Sequence, residues 1–164
     1  MSNDQDPFYV AQQCLDMLAE HGALTLPVDV AKVAELCGIK FIVDSVLCDG
    51  KYGMSFVLDD VRYAAISPII NTPLQLPLLR WCAAHEIGHH LLGHVSSPWS
   101  DELEKQADMF AAALLIPQCL IDNIAFSCTD IFRIARLFCV PLPAAHDWMC
   151  EFSEWNSEDY IVCS

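Results

Sequence analysis

Positive charge is what this chain has least of: eight lysines and arginines stand against 22 aspartates and glutamates, for a net charge of −14. A surface of that sign repels phosphate backbones, so direct nucleic-acid binding is not expected, and the acidity reads as ordinary solvation. A long uninterrupted apolar run is also missing. The longest stretch without a charged residue, Tyr63 to Leu79, contains Pro68, Pro73 and Pro77 and cannot form a spanning helix. The opening residues MSNDQDPFYV lack a basic region leading into an apolar one, so no secretory leader is expected there. Cysteine is plentiful, but no CxxC spacing occurs and the total of nine is odd. Cys14, Cys37, Cys82 and Cys139 fall on faces that read as buried. They are expected to be small core residues in a reducing cytoplasm, not a disulfide framework.

With 54% hydrophobic residues and no repeats or low-complexity linkers, residues 1–164 are expected to form one domain. The termini, about 1–8 and 153–164, are expected to be loosely held. In the first helix Asp6 caps, Pro7 takes the first position and Gly22 ends the run; Val10, Ala11, Cys14, Leu15 and Leu18 share its apolar face. A second helix starts at Asp29, turns Val30, Val33, Ala34 and Cys37 inward, and stops at Gly38. The period then changes. Residues 40–47, 54–58 and 61–67 read as strands, the last two joined by a tight Asp59-Asp60 turn. Helical patterns resume over 77–92, 101–115, a short piece near 118–125, 130–138 and 143–152. The fold class is α+β: N-terminal helices, a small three-stranded antiparallel sheet, then a C-terminal helical bundle.

The chemistry concentrates in WCAAHEIGHHLLGH, residues 81–94. His85-Glu86-Ile87-Gly88-His89 is an HExxH motif. At ~100° per residue, His85 and His89 lie about 40° apart on one helical face and can address a single ion. Glu86 stands beside them, within reach of a water at that ion but not itself a ligand. This is the arrangement that a zinc-activated water with a carboxylate general base requires. His90 and His94 are also four apart, but Leu91 follows His90 and Gly93 is expected to end the helix, so both are expected at the surface. Trp81, Ala84, Gly88 and Leu92 occupy or flank the histidine face, and Gly88 leaves room for close packing. A histidine pair on a partly buried face is costly unless something satisfies it.

A catalytic zinc takes a third protein ligand and keeps one position open. The helix SDELEKQADMFAAALLIP offers Ser100 as its cap, then Glu104 and Asp108 four apart on one face. Glu104 is assigned as the ligand. Asp108 is assigned to hold the second nitrogen of a ligand histidine. Asp101 is a weaker rival, since an acid in the first turn of a helix needs no further reason, and Pro117 stops the helix.

The paired motif, Arg80 to His94 followed by ELEKQADMFAAALLIP, closely resembles the ImmA/IrrE family of metallo-endopeptidases. Arg80-Trp81, His85, Glu86, Gly88 and His89 stand at the first motif's positions. Glu104, Ala107, Asp108, Phe110, Ala111, Ala112, Leu114, Leu115 and Pro117 follow the second in order. LPVDVAKVAELCGIKF and VRYAAIS are similar to the family's N-terminal segment and to the strand before its active-site helix, so the resemblance runs from about residue 10 to 150. Cys82 departs from the threonine usual there. An inert buried thiol is the preferred reading of it; an oxidation-sensitive one is the alternative.

The resemblance implies a minimal zincin-like domain with a thermolysin-like core, in which His85, His89 and Glu104 hold one Zn²⁺ per chain and Glu86 is the catalytic base. It also implies limited proteolysis of a protein partner, a helix-turn-helix repressor carried on a different chain, with no membrane or direct nucleic-acid partner. The hairpin 54–67 would offer an edge to which substrate adds as a strand. Helices 130–138 and 143–152 have a helix-turn-helix-like spacing, read as packing or partner recognition. Tyr52, Tyr63 and His146 are candidates for stabilising the oxyanion. Two other functions fit the same ligands: a non-proteolytic zinc amidohydrolase, and a non-catalytic module that sequesters a regulator. The intact Glu86 weighs against the second.

Overall fold

The computed structural model describes residues 6–48, 50–121 and 130–159. Local sequence signals set the first elements. Asp6 accepts a hydrogen bond from the Phe8 amide at 3.0 Å, and Pro7 opens α1 (Pro7–Glu20), whose Val10, Ala11, Cys14, Leu15 and Leu18 are buried. Gly22, at φ +62°, takes the left-handed conformation that ends the helix. Asp29 accepts from the Lys32 amide at 3.0 Å and caps α2 (Val30–Leu36). Of the termini expected to be loose, Asp6 to Phe8 belong to the start of α1 and the backbone of 153–159 continues the last helix; the remainder lies outside the described residues.

Three strands follow: β1 (Ile39–Val43), β2 (Gly53–Leu58) and β3 (Val61–Ile66). Asp59 and Asp60, at φ 49° and 61°, form the two-residue turn between β2 and β3, whose register runs from Gly53↔Ile66 to Leu58↔Val61. The sheet is not wholly antiparallel as expected. Its order is β1-β3-β2, and β1 runs parallel to β3, pairing Ile39 with Arg62 and Val43 with Ile66. The alternation within a strand reports its two faces but not its neighbour. Here the chain crosses the hairpin and pairs with its far strand. The strand expected over 40–47 stops at Val43 because Asp44 accepts from the Val46 amide at 2.8 Å and starts α3 (Ser45–Cys48).

The remaining helices are α4 (Leu76–Leu91), α5 (Asp101–Leu115), α6 (Gln118–Ile121), α7 (Ile131–Phe138) and α8 (Leu142–Asp159). The segment expected near 118–125 is helical up to Ile121, and its remainder lies outside the described residues. α1 and α4 both pack on α5, α4 also lies against β2 and β3, and α7 pairs with α8. Leu18, Ile87, Phe110, Leu114 and Leu115 are fully buried where these helices meet, each burial contributing about 1.5–3 kcal/mol. Because α4 is covered by α5 on one side and by the sheet on another, its apolar residues spread around the helix instead of forming one stripe. Among the described residues, no helix is long and apolar enough to cross a membrane.

Candidate metal centre

α4 and α5 cross with little between them because Gly88 has no side chain. A Cβ there would meet Phe110 Cδ1 at 2.9 Å and the Ala107 carbonyl at 3.4 Å. This close approach brings the first turn of α5 over the two histidines of α4. His85 Nε2 lies 2.9 Å from His89 Nε2 and 3.3 Å from Glu104 Oε2, while His89 Nε2 is 3.4 Å from Glu104 Oε1. One donor atom from each of His85, His89 and Glu104 falls within 4.8 Å of the others. A tetrahedral ion about 2.0–2.1 Å from its ligands would separate them by about 3.3 Å, so the donor set fits a metal ion in both chemistry and spacing. Asp108 Oδ1 accepts from His85 Nδ1 at 2.8 Å, which leaves His85 Nε2 with a free lone pair facing the cluster. Asp101, the rival ligand, is exposed at the start of α5 and is not in the cluster.

The surrounding charges and burial shift the two histidines in opposite directions. Burial draws the His85 pKa down, but the Asp108 hydrogen bond and the carboxylates of Glu86, Asp108 and Glu104 outweigh it, and the net shift is upward. His89 is pushed down to about 3, first by burial and then by the neighbouring His85 and His94, so it is a neutral imidazole. Glu86 is 6% exposed, and burial raises its carboxyl pKa; the hydrogen bond from Ser55 and the charge of His85 act against that rise.

Strand β2 forms the other wall. The Ser55 hydroxyl donates to Glu86 Oε2 and also sits 2.9 Å from the Glu86 carbonyl. Gly53 faces the same carboxylate: a Cβ there would lie 2.5 Å from Glu86 Oε1. The cluster opens into a cavity of about 200 Å³, lined also by Lys51, Met54, Val95, Ser97, Trp99 and Leu103. Trp99 is exposed at its rim.

His90 and His94 are not surface residues as expected; both are buried. His90 Nε2 donates to the Tyr63 carbonyl at 2.8 Å and ties α4 to β3. His94 comes back under His89 because Gly93, at φ +77°, turns the chain as α4 ends. Its Nδ1 is 3.1 Å from His89 Nδ1 and its Nε2 is 3.1 Å from Gln106 Oε1. None of the three oxyanion candidates lines the cavity. Tyr63 stacks on Phe56, with ring centroids 5.3 Å apart, and His146 is exposed on α8 beside Asp147. Tyr52 is likewise exposed, and its carbonyl accepts from the Ser67 amide. Burial, with Glu86 and Asp108 nearby, pushes the Cys82 thiol up to about 11, which favours the inert reading of that cysteine.

Gly53, Ser55, Gln106 and His94 were not legible as site residues. The only signal was the second HxxxH spacing, which pointed to the wrong geometry.

Two histidines one turn apart on a helix, an acid between them, and a carboxylate from the following helix form a group that could hold a metal ion, with the donor set that zinc hydrolases use. The family model of the IrrE N-terminal-like domain, Peptidase M78, matches residues 69–147, consistent with the ImmA/IrrE resemblance of the paired motifs. A solved structure described as a Mycobacterium tuberculosis transcriptional regulator shares the fold at a TM-score of 0.52 and 17% identity, over 84% of this chain and 54% of that one. The chain thus spans about half the length of that structure. No curated protein matches it.

Proposed function

We infer that this chain is a zinc-dependent endopeptidase that cuts a protein partner at a limited number of sites, and that the partner is a helix-turn-helix transcriptional repressor. The observation that supports the enzymatic part most directly is the convergence of His85 Nε2, His89 Nε2 and the Glu104 carboxylate beside a buried Glu86 at an open cavity. The repressor as partner rests on the family resemblance alone.

His85, His89 and Glu104 would hold the ion; the His-His-Glu set favours zinc. When bound, zinc polarises the scissile carbonyl and makes water easier to deprotonate. Glu86 supplies the base. Burial lifts its pKa toward the range where a carboxylate both accepts and returns a proton, and Ser55 keeps one carboxylate oxygen in place. As the water oxygen bonds to the carbonyl carbon, its proton passes to the Glu86 carboxylate. When the C–N bond breaks, Glu86 returns that proton to the amine nitrogen. β2 is an edge strand bordering the cavity, so an extended substrate segment would pair along it and lay its backbone across the metal centre. Lys51 and Trp99 would then lie beside its side chains. A reducing cytoplasm is the compartment that suits Cys14, Cys37, Cys82 and Cys139, none of which is in a disulfide.

A Glu86→Gln protein used as bait in lysate of the source organism, with wild type in parallel, tests this reading. The expected result is capture by the variant of a DNA-binding protein that the wild type cuts at one position, seen as a new peptide terminus. Retention of the same intact partner by both forms would instead make the chain a sequestering module. Turnover of acyl-amide compounds without cleavage of any peptide would make it an amidohydrolase.

A further inference from the structure

We propose that His94 and Gln106 are positioning residues: together they hold His89 in the one tautomer that lets it ligate a metal ion. The inference rests on the metal-binding reading above and extends it to the shell behind the ligands.

A neutral imidazole carries one N–H and one lone pair. His89 turns Nε2 toward His85 and Glu104, so that nitrogen must carry the lone pair if it is to bind an ion. The proton then belongs on Nδ1, which faces His94 Nδ1 at 3.1 Å and donates to it. His94 must in turn carry its own proton on Nε2, and that nitrogen sits 3.1 Å from Gln106 Oε1, an acceptor. Every donor in the series meets an acceptor. With Gln106 Oε1 facing His94 the series runs toward the ion; an amide NH₂ in that place would reverse it and leave His89 with an N–H aimed at the ion.

The two ligand histidines are therefore braced by different means. His85 is held by Asp108, whose carboxylate is half exposed. His89 rests on His94, which is only 7% exposed, and there a neutral imidazole and amide avoid the cost of another buried charge. The backbone makes this possible. On a continuous helix, residue 94 would stand about 140° around the axis from residue 89 and face away from it. The left-handed turn at Gly93 brings it back.

The test uses the full chain and zinc itself, titrated against a chromophoric chelator for His94→Phe, His94→Asn, Gln106→Leu and wild type. Long-range proton–nitrogen spectra of the zinc-loaded proteins report the His89 tautomer. Wild type is expected to bind one zinc with His89 protonated at Nδ1. His94→Phe and Gln106→Leu are expected to bind about 10–100-fold more weakly, and His94→Asn, which keeps an acceptor near the former Nδ1, to recover most of the loss. A purely structural role would lower the unfolding midpoint of the metal-free protein and gain nothing from asparagine. Should His94→Phe fail to fold, the half-buried Gln106 position carries the same test. Equal zinc affinity in wild type and all variants overturns the relay and leaves the metal centre standing. Absence of zinc binding by wild type overturns the metal centre, and the relay with it.

Discussion

Two missing side chains do as much for the centre as the residues that bind or react. At Gly53 a single added methyl would stand 2.5 Å from Glu86 Oε1, with no flexible neighbour to yield except the carboxylate itself. Gly53→Ala is expected to displace the base and lower kcat/KM by on the order of 100-fold, while zinc stoichiometry by metal analysis stays unchanged; an undiminished kcat/KM would show that the carboxylate yields to the methyl and still works. Gly88→Ala acts on packing instead. Its methyl would meet Phe110 at 2.9 Å and push α4 from α5. Overpacking of this kind costs about 1–3 kcal/mol, measurable as a lower midpoint in urea, and because the two helices carry different proposed ligands, zinc affinity should fall with it. At this scale the sequence showed what is periodic: His85 with His89, and Glu104 with Asp108. It did not show Ser55 or Gln106, which have no distinguishing spacing and gain their roles only when β2 and α5 are laid against α4.

At the level of elements, α5 carries Glu104, the proposed ligand, in its first turn, where helices fray most readily. Ser100 accepts from the Leu103 amide at 3.3 Å and holds that turn closed, one residue before the helix begins. Ser100→Ala is expected to destabilise the protein by about 0.5–2 kcal/mol. It should also weaken zinc binding, because Glu104 moves with the turn; a calorimetric titration separates the two effects. Caps and turns were the most legible part of the fold. Asp6, Asp29 and Ser100 cap where their chemistry predicts, and Asp59-Asp60 turns the hairpin. Strand partnership was not legible, since β1 pairs with β3 across a sheet whose order skips the sequence neighbour. Nor was the placement of His94, which depends on one left-handed glycine and not on helical period.

Across the whole molecule, Arg80 joins regions far apart in sequence. From α4 it donates through Nη2 to the Val28 carbonyl at 2.8 Å and through Nε to the Cys139 carbonyl at 3.2 Å. One side chain thus fastens the loop before α2, the HExxH helix and the end of α7. Arg80→Met keeps much of the volume and loses both donors. The expected cost is about 1.5–3 kcal/mol for each charged hydrogen bond, read from thermal or urea unfolding, and a change under half a kcal/mol would show the contacts to be incidental. The pattern of these long contacts also decides how small a working piece of this protein can be. Residues 69–147 contain His85, Glu86, His89 and Glu104, yet Gly53, Ser55 and the Val28 carbonyl all lie before that span. A fragment trimmed to the span would hold every proposed ligand and the proposed base but neither the wall against Glu86 nor the anchor of the helix beneath it. Such a piece is expected to hydrolyse nothing, since it also loses α1, which packs on α5.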